Sequence, residues 1–198
     1  MRIQQHARAR QSGHSLVELM LAVIVVMILA AIVIPNVSTT MANIRLRGAA
    51  SDFAGLLQQA RTIAVKKNAV YTILFGVPSG NGAYIDLNAN GSYDSGEPII
   101  LFGGNANQVG APGGASGAPP NLDATSTPLG WTATSGNISF NARGLTCNST
   151  VTPCGTNVNY IFYFKDTRTS GGHSWAAVSV TAAGRAKVWY WSGSAWIN

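Results

Sequence analysis

Twelve consecutive residues, Asp86 to Glu97 (DLNANGSYDSGE), place oxygen-bearing side chains at the spacing of a calcium loop, D-x-[DN]-x-[DN]-G-x5-E. Asp86, Asn88 and Asn90 would supply side-chain oxygens, Ser92 its carbonyl and Glu97 a bidentate carboxylate. Asp94 would act directly or through water, and Gly91 would make the sharp turn. Three of the seven acids of the chain fall in these twelve residues, which favours a site. The competing reading is a polar hairpin turn. Asn90-Gly91 between two β-prone runs is a type I′ signal, and the flanks read as strands rather than the paired helices of an EF-hand.

A second acid sits where acids are costly. Residues Gly13 to Pro35 read GHSLVELMLAVIVVMILAAIVIP, an almost unbroken apolar run with one carboxylate, Glu18, near its start. A charge at the middle of such a segment in a bilayer costs about 2.5–3.5 kcal/mol by insertion scales, so it implies a partner charge. Cutting the Gly13–His14 bond would free an α-amino group suited to that role. An ordinary secretory signal would have an apolar core of about 7–15 residues and a small-x-small cleavage site beyond it. Leu19 to Ile34 is uninterrupted, and no good A-x-A site follows Pro35. A plain membrane anchor is the other alternative. The run is near the required length of about 20 residues, and Arg2, Arg8 and Arg10 place its N-terminal side in the cytoplasm.

The third constellation is basic and aromatic. Gly184-Arg185-Ala186-Lys187 leads into Trp189, Tyr190, Trp191 and Trp196, and Arg143, Lys165 and Arg168 could enlarge the patch. Cations of this kind neutralise phosphates. The alternative is a last strand with a basic solvated face and its aromatics buried on the other. Cys147 and Cys154, the two cysteines, fit a disulfide in an oxidising compartment. A loop this short contributes roughly 2.5 kcal/mol in the chain-entropy treatment. A metal site would need further ligands, and His173 has no spacing that supplies one. His6, His14 and His173 do not form a catalytic set with Ser, Cys or paired acids, so the chain is expected not to be an enzyme and to need no organic cofactor.

The elements that position these groups follow from periodicity. Residues 14 to about 67 read as one long helix of roughly 80 Å. Its first half is apolar all round, and Pro35 should kink it. Beyond Pro35, Leu46, Ala50, Phe53, Leu57, Ala60 and Ala64 recur at three- and four-residue steps, a stripe made to pack on a sheet. Arg45, Asp52, Gln59 and Arg61 take other faces. From Ala69 the period becomes that of strands: Val70–Phe75, Ala83–Leu87, Ile99–Phe102, Ile138–Phe140, Tyr160–Phe164, Trp175–Val180 and Ala186–Trp191. Gly103 to Pro120 (GGNANQVGAPGGASGAPP) reads as a mobile surface loop. Its glycines lack the Lys-Ser/Thr of a phosphate cradle. The pattern is α+β, a helix followed by antiparallel strands.

Composition agrees. Of 198 residues only 10% are charged and 22 are Gly, which suits a β-rich, loop-rich domain outside the cytosol. Arg2, Arg8 and Arg10 precede Gly13. The remainder holds ten Lys and Arg against seven Asp and Glu, a net of +3, too mild for a dedicated nucleic-acid binder.

Gly13, a Glu five residues beyond it (Glu18) and a Pro twenty-two beyond it (Pro35) resemble the class III signal of type IV pilins and type II secretion pseudopilins. His14 stands where that family usually has Phe. RLRGAASDFAGLLQQARTIAVKKN (Arg45–Asn68), ISFNARGL (Ile138–Leu145) and VSVTAAGRAKV (Val178–Val188) are similar to the GspH/FimT group of minor pilins and pseudopilins. The resemblance implies a type IV pilin fold: residues 1–13 a leader, 14–35 a transmembrane and filament-core helix, 36–68 its amphipathic half, and 69–198 a periplasmic head. It implies cleavage between Gly13 and His14 by a prepilin peptidase, N-methylation at His14, and a role for Glu18 and Pro35 in assembly. Implied partners are other pilin or pseudopilin subunits, the inner-membrane assembly platform and membrane lipid. The chain would sit in the bacterial inner membrane, N-terminus cytoplasmic and head periplasmic, and then enter a pilus or pseudopilus. In FimT-like pilins of naturally transformable bacteria a similar Gly-Arg-x-Arg segment binds DNA. Arg185 and Lys187 take those basic places here, which adds DNA as an implied partner.

Overall fold

The structure, a computed structural model, describes residues 15–76, 80–104, 106–112, 122, 131–133, 136–147, 154, 158–166 and 175–198, without the side chains of 32–39 and 131–133. The chain divides into two units, residues 1–39 and 40–198. A single 52-residue helix, α1 (Leu16–Lys67), runs through the boundary.

From Leu16 to Ala31 α1 is apolar apart from Glu18 and has no polar face. Twelve large hydrophobic side chains between Leu16 and Leu29 are exposed, Leu16 at 76%. Among the described residues no helix is long and apolar enough to cross a membrane; the described side chains of this run stop at Ala31.

In the second unit α1 is amphipathic. Leu46, Ala50, Phe53, Leu57, Ala60 and Ala64 recur at three- and four-residue spacing and are all buried, the stripe expected from the sequence; Ala42, also buried, extends it. The helix ends in a Schellman cap. Asn68 takes φ 51°, Ala69 N–H donates to the Ala64 carbonyl at 3.2 Å, and Asn68 N–H donates to the Val65 carbonyl at 3.3 Å. Lys66 and Lys67 face the negative end of the helix there.

Eleven strands follow among the described residues: β1 (Tyr71–Phe75), β2 (Gly82–Asp86), β3 (Ile99–Leu101), β4 (Ala106–Val109), β5 (Trp131–Ala133), β6 (Ile138–Phe140), β7 (Thr146–Cys147), β8 (Asn159–Asp166), β9 (Trp175–Val180), β10 (Ala186–Trp191) and β11 (Trp196–Ile197). They form two sheets rather than one. The first has the order β3-β2-β1-β6-β7 and the second β11-β10-β9-β8-β4. Pairing is antiparallel except at β5, which runs parallel to β8 with Trp131 opposite Asn159.

Alternation assigns the faces. In the first sheet Ile73 pairs with Ile85 and Ile138, and these three face α1. In the second, Phe162 pairs with Val178, which pairs with Val188; this face also meets α1. Phe53 stands where the three layers meet. Its ring lies 5.2 Å from Phe75 of the first sheet, and 4.9 and 5.5 Å from Phe162 and Phe164 of the second. The outer face of the second sheet holds a separate cluster of Leu122, Ile161, Tyr163, Trp175, Ala177 and Trp196.

One expectation fails. The tract Gly103–Pro120 is not a loop throughout, because Ala106–Val109 is strand β4, bonded to β8 from Asp166 to Tyr163. Its sequence, ANQV, lacks the apolar alternation of a self-declaring strand. The long, buried β8 recruits it. Residues 113–120 lie outside the described residues.

Candidate functional site

Gly13 and His14 lie outside the described residues. Glu18 stands in the first turn of α1, where the helix N-terminus favours a carboxylate. Leu19 N–H donates to the Ser15 carbonyl at 3.2 Å, opening the helix at Ser15. Ser15-x-x-Glu18 has capping-box spacing, so Glu18 is suited to begin the helix as well as to meet an amine. Pro35 falls inside α1, with its side chain outside the description.

Arg185 and Lys187 are both exposed. The turn that presents them, Thr181–Arg185, is closed by Gly184 N–H on the Thr181 carbonyl (2.7 Å) and Thr181 N–H on the Arg185 carbonyl (3.0 Å). Asn141–Leu145 makes the same turn, with Gly144 N–H on the Asn141 carbonyl at 2.8 Å. The two turns pack against each other and on α1. Gln58 Nε2 donates to the Gly184 carbonyl (3.3 Å), and Arg61 Nε to the Gly144 carbonyl (3.1 Å). At Gly184, φ is 76°, and a Cβ would lie 2.5 Å from the Gly144 carbonyl oxygen. The two glycine-containing signatures are therefore the docking points of both sheets on the helix. Arg61, which the sequence places on a face other than the apolar stripe, is part of that joint.

Neither sequence reading of the last strand describes it fully. Lys187, Trp189 and Trp191 share the outer face, while Val188 and Tyr190 turn toward α1. The Lys187 ammonium sits 4.2 Å from the Trp189 ring centre and that of Lys165 5.4 Å from Trp175, both within cation–π range. Arg143 is exposed on the neighbouring turn; Arg168 and His173 lie outside the described residues. Cys147 and Cys154 are joined in a disulfide with Cα atoms 5.4 Å apart. It closes the connection between β7 of the first sheet and β8 of the second.

The Asp86–Glu97 segment joins β2 to β3, so its flanks are strands. It is nevertheless not a tight type I′ hairpin, which needs positive φ at both central residues. Positive φ occurs at Ala89 (59°) and Gly91 (76°), not at Asn90. The loop is folded around its own oxygens. Asp86 Oδ2 accepts Gly91 N–H (2.9 Å), Asn88 Oδ1 accepts Asn90 N–H (3.1 Å), and Asn90 Oδ1 accepts Ser92 N–H (2.8 Å). Asp94 Oδ2 accepts from the amides of Asn88 (2.6 Å) and Asn90 (2.7 Å). Glu97 clasps the two ends, Oε1 accepting Leu87 N–H at 2.7 Å and Oε2 accepting Asp94 N–H at 3.0 Å. Tyr84 packs edge-on to Tyr93, ring centres 5.6 Å apart. Burial, followed by the charges of Asp86, Glu97 and Asp94, holds its hydroxyl above the ordinary tyrosine value. Among the described residues no three Asp, Glu, His or Cys side chains converge into a metal-holding group. Any ion in this loop must therefore draw on amide and main-chain oxygens as well.

Comparison with known proteins places these observations. Residues 49–184 match the family described as type II transport protein GspH, a span that includes the Asn141–Leu145 turn and the Asp86–Glu97 loop and ends at Gly184 in the second docking turn. Residues 8–34 match the prokaryotic N-terminal methylation motif, which spans Gly13, His14 and Glu18. Two crystal forms of the type IV minor pilin FimU from Pseudomonas aeruginosa are similar to the chain. At 18% identity, one covers 72% of this chain and 87% of its own with a TM-score of 0.46; the other covers 71% and 90% with a TM-score of 0.43. No curated protein matches.

Proposed function

Because the chain belongs to the type II transport protein GspH family and bears the N-terminal methylation motif, a family of structural rather than catalytic proteins, we propose that it is a minor filament subunit. In this reading the protein waits in the inner membrane with its head in the periplasm. It is cut between Gly13 and His14, methylated at His14, and built into a type IV pilus or a type II secretion pseudopilus. The observation that carries it is the uncovered apolar half of α1. Twelve large side chains between Leu16 and Leu29 are exposed on all sides of one helix, a surface that water does not tolerate and that lipid or sister helices would cover. Glu18 at the head of that surface would pair with the α-amino group of a neighbour. Breaking such a buried pair costs about 3–5 kcal/mol, so the pair would reject wrong registers.

Mass spectrometry of the native protein is expected to show a chain that begins at methylated His14. A Glu18→Ala subunit is expected to be processed normally but to enter filaments at least about tenfold less than the parent. An unshortened chain, or equal incorporation of the variant, overturns the proposal. Deletion of the gene separates the two machines: lost piliation marks a pilus subunit, lost secretion a pseudopilus subunit.

The exposure of Arg185 and Lys187 supports a second role for the same head, weak sequence-independent DNA binding. With two to four phosphates engaged, log K would fall with log salt at a slope of about −2 to −4.

A further inference from the structure

We propose that the β2–β3 loop is a Ca²⁺ site in which Asp86 and Glu97 anchor the ion and Asn88, Asn90, Ser92 and Asp94 complete its oxygen shell. The site belongs to the head and does not depend on the filament reading.

Asp86 is the observation that points to a ligand. It closes β2 and is only 6% exposed. Its Oδ2 accepts Gly91 N–H from across the loop at 2.9 Å, which ties the carboxylate to the loop. The other oxygen, Oδ1, is buried with no hydrogen-bond partner. A buried, unsatisfied carboxylate oxygen is costly, and native folds rarely leave one without an ion or a donor. A cation bound at Oδ1 removes that cost.

The remaining donors stand in the right order along the chain. Glu97 is 7% exposed and reaches back over the loop. Each of its oxygens accepts one N–H and keeps a further lone-pair direction for a metal. Asn88 Oδ1 and Asn90 Oδ1 are each fixed by one main-chain N–H. Gly91, at φ 76°, takes the left-handed conformation that a sharp turn needs, and the Ser92 carbonyl follows it in the chain. Asp94 currently accepts the amides of Asn88 and Asn90; an ion would compete for the same oxygen.

The donor set selects the metal. It is all oxygen, without Cys or His, which disfavours zinc and copper. A flexible shell of six or more oxygens suits Ca²⁺, while Mg²⁺ holds its own waters and demands a tight octahedron. With Asp86 and Glu97 as its charged anchors and Asp94 reached directly or through water, the affinity should fall among extracellular modules, Kd about 0.1–1 mM.

The test uses the full chain in detergent micelles, stripped with EDTA. Calorimetric titration with CaCl₂ is expected to show one ion per chain. Ca²⁺ at ten times its Kd is expected to raise the melting temperature by about 3–6 °C, and equimolar Mg²⁺ to leave it unchanged. Glu97→Gln should abolish the titration heat. Should that variant fail to fold, Asp94→Asn decides: Asp94 is exposed, so the fold survives while affinity drops about tenfold. Absence of both heat and thermal shift up to about 10 mM Ca²⁺, or wild-type binding by the variants that fold, overturns the site.

Discussion

Gly184 holds a position that no other residue fills without moving its neighbours. Its φ is left-handed, and the Gly144 carbonyl occupies the space of a side chain. Gly184→Ala is expected to destabilise the head by about 2 kcal/mol or more, seen as a melting-temperature drop of about 4–8 °C. Arg185 and Lys187, one and three residues on, are exposed. Reversing both to Glu should leave the melting temperature within about 2 °C of the parent while abolishing a DNA gel shift; an unchanged shift removes the DNA role from this patch. The contrast separates a motif's structural glycine from its surface charges. Sequence alone could not separate them, because the atom that Gly184 meets is supplied by a turn forty residues earlier. The polar loop at Asp86–Glu97, by contrast, was legible as a connection between two strands, since its hydrogen-bonding side chains are local. What stayed hidden was the unpartnered Asp86 oxygen, which depends on how β2 buries its last residue.

At the scale of elements, one side chain ties three layers together. Phe53 touches Phe75 in one sheet and Phe162 and Phe164 in the other. Phe53→Ala is therefore expected to cost about 3–5 kcal/mol, measured by denaturant melts. A loss below about 1 kcal/mol would mean that the layers are held elsewhere. The stripe on α1 was legible because 3.6-residue periodicity is a local signal, and so were the longer strands. β4, β5, β7 and β11 were not. They are two to four residues long, and β4 and β7 owe their conformation to a longer partner. The division into two sheets was equally hidden, since strand order depends on pairings between distant segments.

At the scale of the molecule, the two units answer to different surroundings. The core of residues 40–198 closes on itself, using the buried stripe from Ala42 to Ala64. The helix before it has no such closure. A chain beginning at residue 40 is therefore expected to be folded and monomeric in buffer without detergent, by circular dichroism and gel filtration. The full chain should require detergent. Aggregation of the short form would show that the earlier residues are needed to complete the head.

The sheet borders carry a last consequence. Among the described residues the outer strands are all brief: three residues in β3, two in β7, two in β11, four in β4 and three in β5. So few backbone groups give a stranger's strand little to zip onto. Copies crowded side by side are thereby steered away from runaway amyloid-like ribbons.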